Sequence, residues 1–132
     1  MADSRPVSRP LSPHLQVYRP MLTMMMSIMH RITGVALFSG AILFVWWLAA
    51  AAWSDAAFDI TQAFFGHWFG KLVIFGFSWA LIHHMLGGIR HLIWDTGKGY
   101  ELPTVETMAR LNLAGSIILT LLLWAAALWM PA

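Results

Sequence analysis

The sequence predicts an all-α membrane protein with three transmembrane helices, the N-terminus cytoplasmic and the C-terminus periplasmic. Three observations carry that prediction. First, 59% of the 132 residues are hydrophobic and 11% are charged, against about a quarter charged in a soluble domain. A chain this short has too much surface to hide such an excess in its own core, so lipid is the simpler solvent for it. Second, the apolar residues fall in three long runs. Third, Lys and Arg are spread unevenly over the segments between those runs.

The first run extends from about Leu22 to Trp53, and its uninterrupted centre from Val35 to Trp53 satisfies the ~18-residue length of a span. The second covers about Phe64 to Asp95; Lys71 near its start can reach the interface on its aliphatic stem, leaving Leu72 to Ile89 in hydrocarbon. The third covers about Met108 to Met130 and is free of charge from Leu111 onward. Trp53, Trp68, Trp94 and Trp129 lie near the run ends, where interfacial aromatics belong. Between the runs, Ser54 to Ala63 carries Asp55 and Asp59, and Thr96 to Thr107 carries Gly97, Gly99 and Pro103, all poor inside helices. Thr104 is placed to cap the third helix, with Glu106 in its first turn. With no internal repeat, the chain reads as one transmembrane domain, preceded by a cytoplasmic segment over residues 1–21.

Arg5, Arg9, Arg19 and Arg31 precede or enter the first run, and Arg90, Lys98 and Arg110 flank the second connection. The first connection has only Lys71 at its edge and the C-terminus has no basic residue, which sets the orientation stated above. The polar start through Pro20 lacks the early apolar stretch of a secretory signal and reads as a mature bacterial N-terminus. The absence of cysteine excludes Cys-ligated clusters and Cys zinc sites on this chain. A net charge of +2 with no basic tract gives no reason to expect a nucleic-acid partner.

Ionisable groups inside a span are costly and mark function by default. Two clusters contain them: Ser27, His30, Arg31 and Thr33 in the first run, and His83, His84, Gly87, Gly88, Arg90, His91 and Asp95 in the second. On a helix, His84, Gly88, His91 and Asp95 share one face. His84 is the deepest of them, about 16 Å along the axis from Asp95 and so near the middle of a ~30 Å hydrocarbon core. A histidine there beside glycine suits a metal-bearing macrocycle, with Gly87 and Gly88 leaving room for it. It suits equally a histidine hydrogen-bonded to a neighbouring helix, with the glycines allowing close packing. His83 is turned ~100° away and cannot ligate the same iron. Depth permits a His30–His84 pair within the chain, but a helix spacing of ~8–10 Å favours a second ligand from another chain.

Ser27 and Arg31 share a face of the first helix, with His30 beside it. The first two spans run antiparallel, so these residues are level with Arg90, His91 and Asp95 near the cytoplasmic surface. Such a pocket can hydrogen-bond a quinone: the hydroxyl donates, Arg31 stabilises negative charge, and His or Asp relays protons. Arg31 can instead fork onto a carboxylate such as a haem propionate. The bland reading is an Arg31–Asp95 or Arg90–Asp95 ion pair. His14 and His67 read as surface residues, Met24–Met26 and Met29 as soft packing, and the third span as carrying no chemistry.

Arg9-Pro10-Leu11 followed by Ser27-x-x-His30-Arg31-x-Thr33, together with His84-x-x-x-Gly88-Ile-Arg90-His91-Leu-x-Trp94-Asp95-x-Gly97, resembles the cytochrome b556 subunits of succinate dehydrogenase, which are membrane anchors of bacterial complex II. The resemblance covers nearly the whole chain. It implies that His84 is an axial ligand of haem b, the other ligand coming from a small hydrophobic anchor subunit. It places Ser27 and Arg31 at the ubiquinone pocket, His30 and Arg31 near the haem propionates, His91 among the cofactor-binding residues, and Asp95 on the quinone and proton path. It further implies flavoprotein and iron–sulfur partner subunits, an assembly such as a trimer of heterotetramers, and residence in the bacterial inner membrane. Succinate oxidation would then occur on the flavoprotein. The rival readings are the related anchor of a quinol:fumarate reductase, a haem-free structural anchor, and a small proton conductor.

Overall fold

The structure is a computed structural model and describes residues 18–130. The expectations attached to Arg5, Arg9, Pro10, Leu11 and His14, and the reading of the N-terminus as mature, lie outside the described residues. Among the described residues four helices follow in order: α1 (Leu22–Trp53), α2 (Asp55–Gly66), α3 (Trp68–Asp95) and α4 (Leu102–Trp129). Three of them, α1, α3 and α4, are long and apolar enough to cross a membrane. Trp53 and Trp129 end α1 and α4, and Trp68 begins α3.

Two expectations need correcting. The segment read as a short connection is helix α2, and the second long helix begins at Trp68 rather than near Phe64. Ser54 starts α2, its hydroxyl accepting from the Ala57 N–H, with Asp55 in the first turn to complement the helix dipole. Phe58 packs against Trp47, and Phe64 and Phe65 against Trp46. Aromatic packing thus holds a helix of about 18 Å, too short to span a ~30 Å core. At His67 the backbone is extended and the ring Nδ1 accepts from the Phe69 N–H at 3.4 Å, which caps α3. Gly70 permits the corner: a Cβ there would collide with the Phe64 carbonyl.

The second correction is at α4. It begins at Leu102, with Pro103 in its first turn, and Thr104 is inside it rather than capping it. Proline is tolerated there because first-turn N–H groups have no intrahelical partner to lose. Glu106 is consequently beyond the first turn and pairs with Arg110 at 3.2 Å on the surface. The α3–α4 turn needs its glycines: Gly97 and Gly99 take φ of 77° and 79°, the left-handed region that L side chains avoid. Trp94 Nε1 donates to the Gly99 carbonyl at 3.1 Å and the Tyr100 hydroxyl to the Trp94 carbonyl at 2.8 Å, fastening the turn to α3.

Helix α3 runs antiparallel to both α1 and α4 and packs against each. His30 and Thr33 meet His84, and Gly40 meets Phe77, along α1; Asn112 and Ser116 meet His83, and Trp124 meets Phe75, along α4. The interior is small and polar rather than oily. Ala80, Ala109, Thr33, His83, Arg90, Asn112, Ser116 and Thr120 are buried, while most Leu, Ile and Phe side chains face outward. This is the arrangement expected in lipid, where small and hydrogen-bonding residues hold helices together and large apolar ones need no burial. Only 6% of the most apolar window of α1 is buried, so this helix presents most of its surface to lipid or to another chain.

Candidate functional site

The N-terminal third of α1 and the C-terminal half of α3 bring together His30, His84 and His91. The His30 and His84 rings stack, with centroids 3.8 Å apart and planes 9° from parallel. His91 tilts against His30 at 5.5 Å. This contact answers the question that depth left open. Two rings in face-to-face contact leave no space for a macrocycle between them, so His30 and His84 do not clamp one in this arrangement.

The surroundings of His84 fix its chemistry. Its Nδ1 lies 3.1 Å from the His30 carbonyl oxygen and 3.3 Å from Thr33 Oγ1. A carbonyl can only accept, so Nδ1 carries the proton and donates. The Thr33 hydroxyl bonds back to the Met29 carbonyl at 2.9 Å, which turns an oxygen lone pair toward His84. Gly34 supplies the space, since a Cβ there would stand 3.2 Å from His84 Cε1. Nε2 therefore keeps its lone pair, and it takes no hydrogen bond among the described residues. A ring N–H held by a backbone carbonyl, with the opposite nitrogen basic and free, is the usual state of a metal-ligating histidine. Sequence reasoning named Thr33 only as part of a motif and gave Gly34 no role.

The two glycines beside His84 do different things, contrary to the reading that both open room for a macrocycle. A Cβ at Gly88 would meet nothing within 4 Å, so that side is open. A Cβ at Gly87 would stand 2.5 Å from His30 Nδ1, so that side is filled by the histidine ring. The hydrogen bonding to a neighbouring helix considered for His84 is present, to α1, and His83 makes a second such link, to α4. That residue is 1% exposed, with Nδ1 at 3.1 Å from Ser116 Oγ and 3.4 Å from Asn112 Nδ2. Asn112 Nδ2 also donates to the His83 carbonyl at 3.3 Å. Asn112, Ser116 and Thr120 form a buried polar stripe on α4, the helix expected to be featureless. Their spacing of four was the available signal.

Ser27, Arg31, His91 and Asp95 are exposed on the outside of the chain. The buried face of α1 follows Met26, His30 and Thr33, so Ser27 and Arg31 are turned away from α3. Among the described residues Arg31–Asp95 and Arg90–Asp95 ion pairs do not form. Arg90 is buried and its guanidinium lies 5.0 Å over the Trp94 ring. An apolar cavity of about 380 Å³ between α1, α2 and α3, lined by Phe44, Trp47, Phe65 and Phe77, lies at the far end of the bundle from the histidines and has Gln62 as its one polar side chain.

The family model described as succinate dehydrogenase/fumarate reductase transmembrane subunit matches residues 5–123. The chain belongs to this family. It is 45% identical over 122 residues to the succinate dehydrogenase cytochrome b556 subunit of Paracoccus denitrificans, covering 92% of this chain and 94% of that one. It is 38% identical over 116 residues to the subunit of the same name from Rickettsia typhi, covering 88% and 90%. To the cytochrome b560 subunit of Marchantia polymorpha it is 36% identical over 121 residues, covering 88% of each chain. As a member of the succinate dehydrogenase/fumarate reductase transmembrane family, the chain is a multi-pass membrane protein. The match takes in both histidine clusters, α1 to α3, and most of α4.

Proposed function

We propose that this chain is the membrane-anchoring cytochrome b subunit of a succinate:ubiquinone oxidoreductase in a bacterial inner membrane, that it supplies His84 as one axial ligand of haem b, and that its cytoplasmic end forms part of the ubiquinone-reducing pocket. One observation carries the haem assignment: His84 Nδ1 is held by the His30 carbonyl at 3.1 Å while Nε2 stays free, next to the open side of Gly88. Those residues fit the group, with a basic nitrogen on the ring, a second contact that fixes the ring's tautomer, and a missing side chain where a flat ligand would lie. Haem b would supply a one-electron relay between the iron–sulfur subunit and the quinone. The second ligand comes from the hydrophobic anchor subunit, a reading supported by the stacked His30 ring, which is unavailable as the opposite ligand.

The quinone pocket rests on Ser27 and Arg31, exposed on α1, with His91 and Asp95 exposed at the end of α3. The Ser27 hydroxyl hydrogen-bonds a quinone oxygen, Arg31 stabilises the charge that develops on reduction, and His91 and Asp95 pass protons from the cytoplasm. Because Ser27 and Arg31 face out of this chain, a partner chain must close the pocket over them. Electrons arrive from succinate through the flavoprotein and iron–sulfur subunits.

Two measurements test this reading. Expressed alone, the chain forms no bis-histidine haem site; co-expressed with a second membrane subunit carrying a mid-span histidine, it gives a low-spin b-type spectrum. A low-spin bis-histidine spectrum from the isolated chain, lost in His30→Ala, would replace the shared site with an intrachain pair. For orientation, a reporter fused after Ala132 reads periplasmic and one inserted beside Lys98 reads cytoplasmic, following the Lys/Arg asymmetry. The reverse pattern at both positions would move the quinone pocket to the other side of the membrane.

A further inference from the structure

Among the described residues, the hydrogen bonds and the stacking contact of the His84 ring all come from one turn of α1. His30, Thr33 and Gly34 stand three and four residues apart, which puts them on one side of that helix. His30 gives its carbonyl, 3.1 Å from His84 Nδ1, and its ring, stacked at 3.8 Å. Thr33 gives Oγ1, 3.3 Å from the same nitrogen. Gly34 lets the imidazole lie this close to α1, since a Cβ there would stand 3.2 Å from His84 Cε1. Nδ1 thus has one proton and two oxygens within reach. The carbonyl alone is enough to fix the tautomer, so the hydroxyl is an additional acceptor. Its own position is well determined. Thr33 is 1% exposed, with Oγ1 at 2.9 Å from the Met29 carbonyl and 3.0 Å from the His30 carbonyl, the usual resting place of a threonine hydroxyl on a helix. Whichever carbonyl takes the hydroxyl proton, the oxygen keeps lone pairs for the His84 N–H.

We propose that Thr33 is a positioning residue for the haem ligand: its hydroxyl shares the His84 Nδ1 proton with the His30 carbonyl, fixes the plane of the imidazole and raises the electron density on Nε2. The inference rests on the reading of His84 as an axial ligand of haem b. It has an orientational and an electronic part. A single acceptor leaves the ring free to swing about that one contact. Two acceptors, with the His30 ring against its face, define the plane in which Nε2 points. Electronically, an N–H held by oxygen leaves more negative charge on the ring and makes the opposite nitrogen more basic. The Thr33 hydroxyl donates to a backbone carbonyl at the same time, which polarises it and strengthens it as an acceptor. A more basic ligand favours ferric over ferrous iron, so Thr33 holds the haem potential down. Valine has the shape of threonine without the hydroxyl. Thr33→Val therefore removes this one contact and leaves the carbonyl of His30 in place.

The test is a redox titration of the haem in the assembled complex, read from the reduced α band, for the wild type, Thr33→Val and Thr33→Ser. In Thr33→Val the midpoint potential rises, and at a fixed ambient potential the ferrous-to-ferric ratio increases by up to about tenfold, the scale of one ordinary hydrogen bond. Thr33→Ser keeps a hydroxyl at the same place on the helix and tracks the wild type. A role in packing alone predicts the reverse order: valine, with the same shape, behaves as the wild type, and the smaller serine is the perturbed variant. A wild-type potential in Thr33→Val, or a shifted one in Thr33→Ser, overturns the proposal. A structure of the wild-type complex gives a second readout that does not depend on a variant assembling. Thr33 Oγ1 is expected within hydrogen-bonding distance of His84 Nδ1; a hydroxyl turned away, or another group standing between the two, overturns the proposal as well. The two readings fail separately. A haem not ligated by His84 removes the functional reading and this proposal with it. A haem ligated by His84 whose potential is insensitive to Thr33→Val removes this proposal alone.

Discussion

Replacing His84 by alanine converts the haem of the assembled complex from six-coordinate low-spin to a five-coordinate or substituted species, while His83→Ala leaves the low-spin signal intact. The two residues are neighbours in sequence, so the contrast isolates geometry from composition. His84 offers a free Nε2 because its Nδ1–H is committed to the His30 carbonyl at 3.1 Å. His83 is sealed between α3 and α4, bonded to Ser116 and Asn112 and covered by Trp79 at 5.1 Å. Its loss leaves buried hydrogen-bonding groups unpaired, a cost of about 1–3 kcal/mol, and is expected to appear as a lower unfolding temperature. The measurement is electron paramagnetic resonance with the reduced α band. Ligation state is the criterion rather than haem content, since packing and propionate contacts can retain a haem that has lost one ligand. Low-spin haem that survives His84→Ala and disappears in His83→Ala would reverse the assignment.

Ser27→Ala and Arg31→Leu each lower succinate–ubiquinone turnover by about two to three powers of ten, the usual effect of removing one donor aimed at a developing negative charge. Succinate oxidation measured with an artificial dye that accepts electrons upstream stays near the wild-type rate. Both side chains stand on the exposed side of α1, and Arg31 has no acidic partner among the described residues to compete for it. In a site closed to water, such donors count for more than they do in solution. The family resemblance also puts Arg31 near the haem propionates, so the haem spectrum is recorded on the same sample to separate the two effects. Wild-type ubiquinone turnover in both assembled variants would place the pocket elsewhere and leave the first cluster with a structural role.

The sequence by itself determined the three long apolar helices, because hydrophobic length is a local property that lipid reads directly. It determined that His84, Gly88, His91 and Asp95 lie on one side of a helix, because the helical period fixes angles within a single element. Its motifs identified the family, which the match over residues 5–123 and the 45% identity to the Paracoccus subunit bear out. Helix α2 was not legible, since its start depends on the Ser54 hydroxyl and its hold on Trp46 and Trp47 packing from another element. Only the tertiary structure decided which glycine faces in and which faces out, that His83 is sealed against α4 while His84 bonds α1 through Nδ1 alone, and that His30 stacks on His84. The physical reason is rotation about the helix axis. In a soluble helix an apolar stripe announces the inward face, but here large apolar side chains cover the outside of every long helix. The rotation of α1, α3 and α4 is set by where Gly40, Gly87, Asn112 and Ser116 allow their backbones and hydrogen bonds to meet, a property of pairs of helices that no single segment carries.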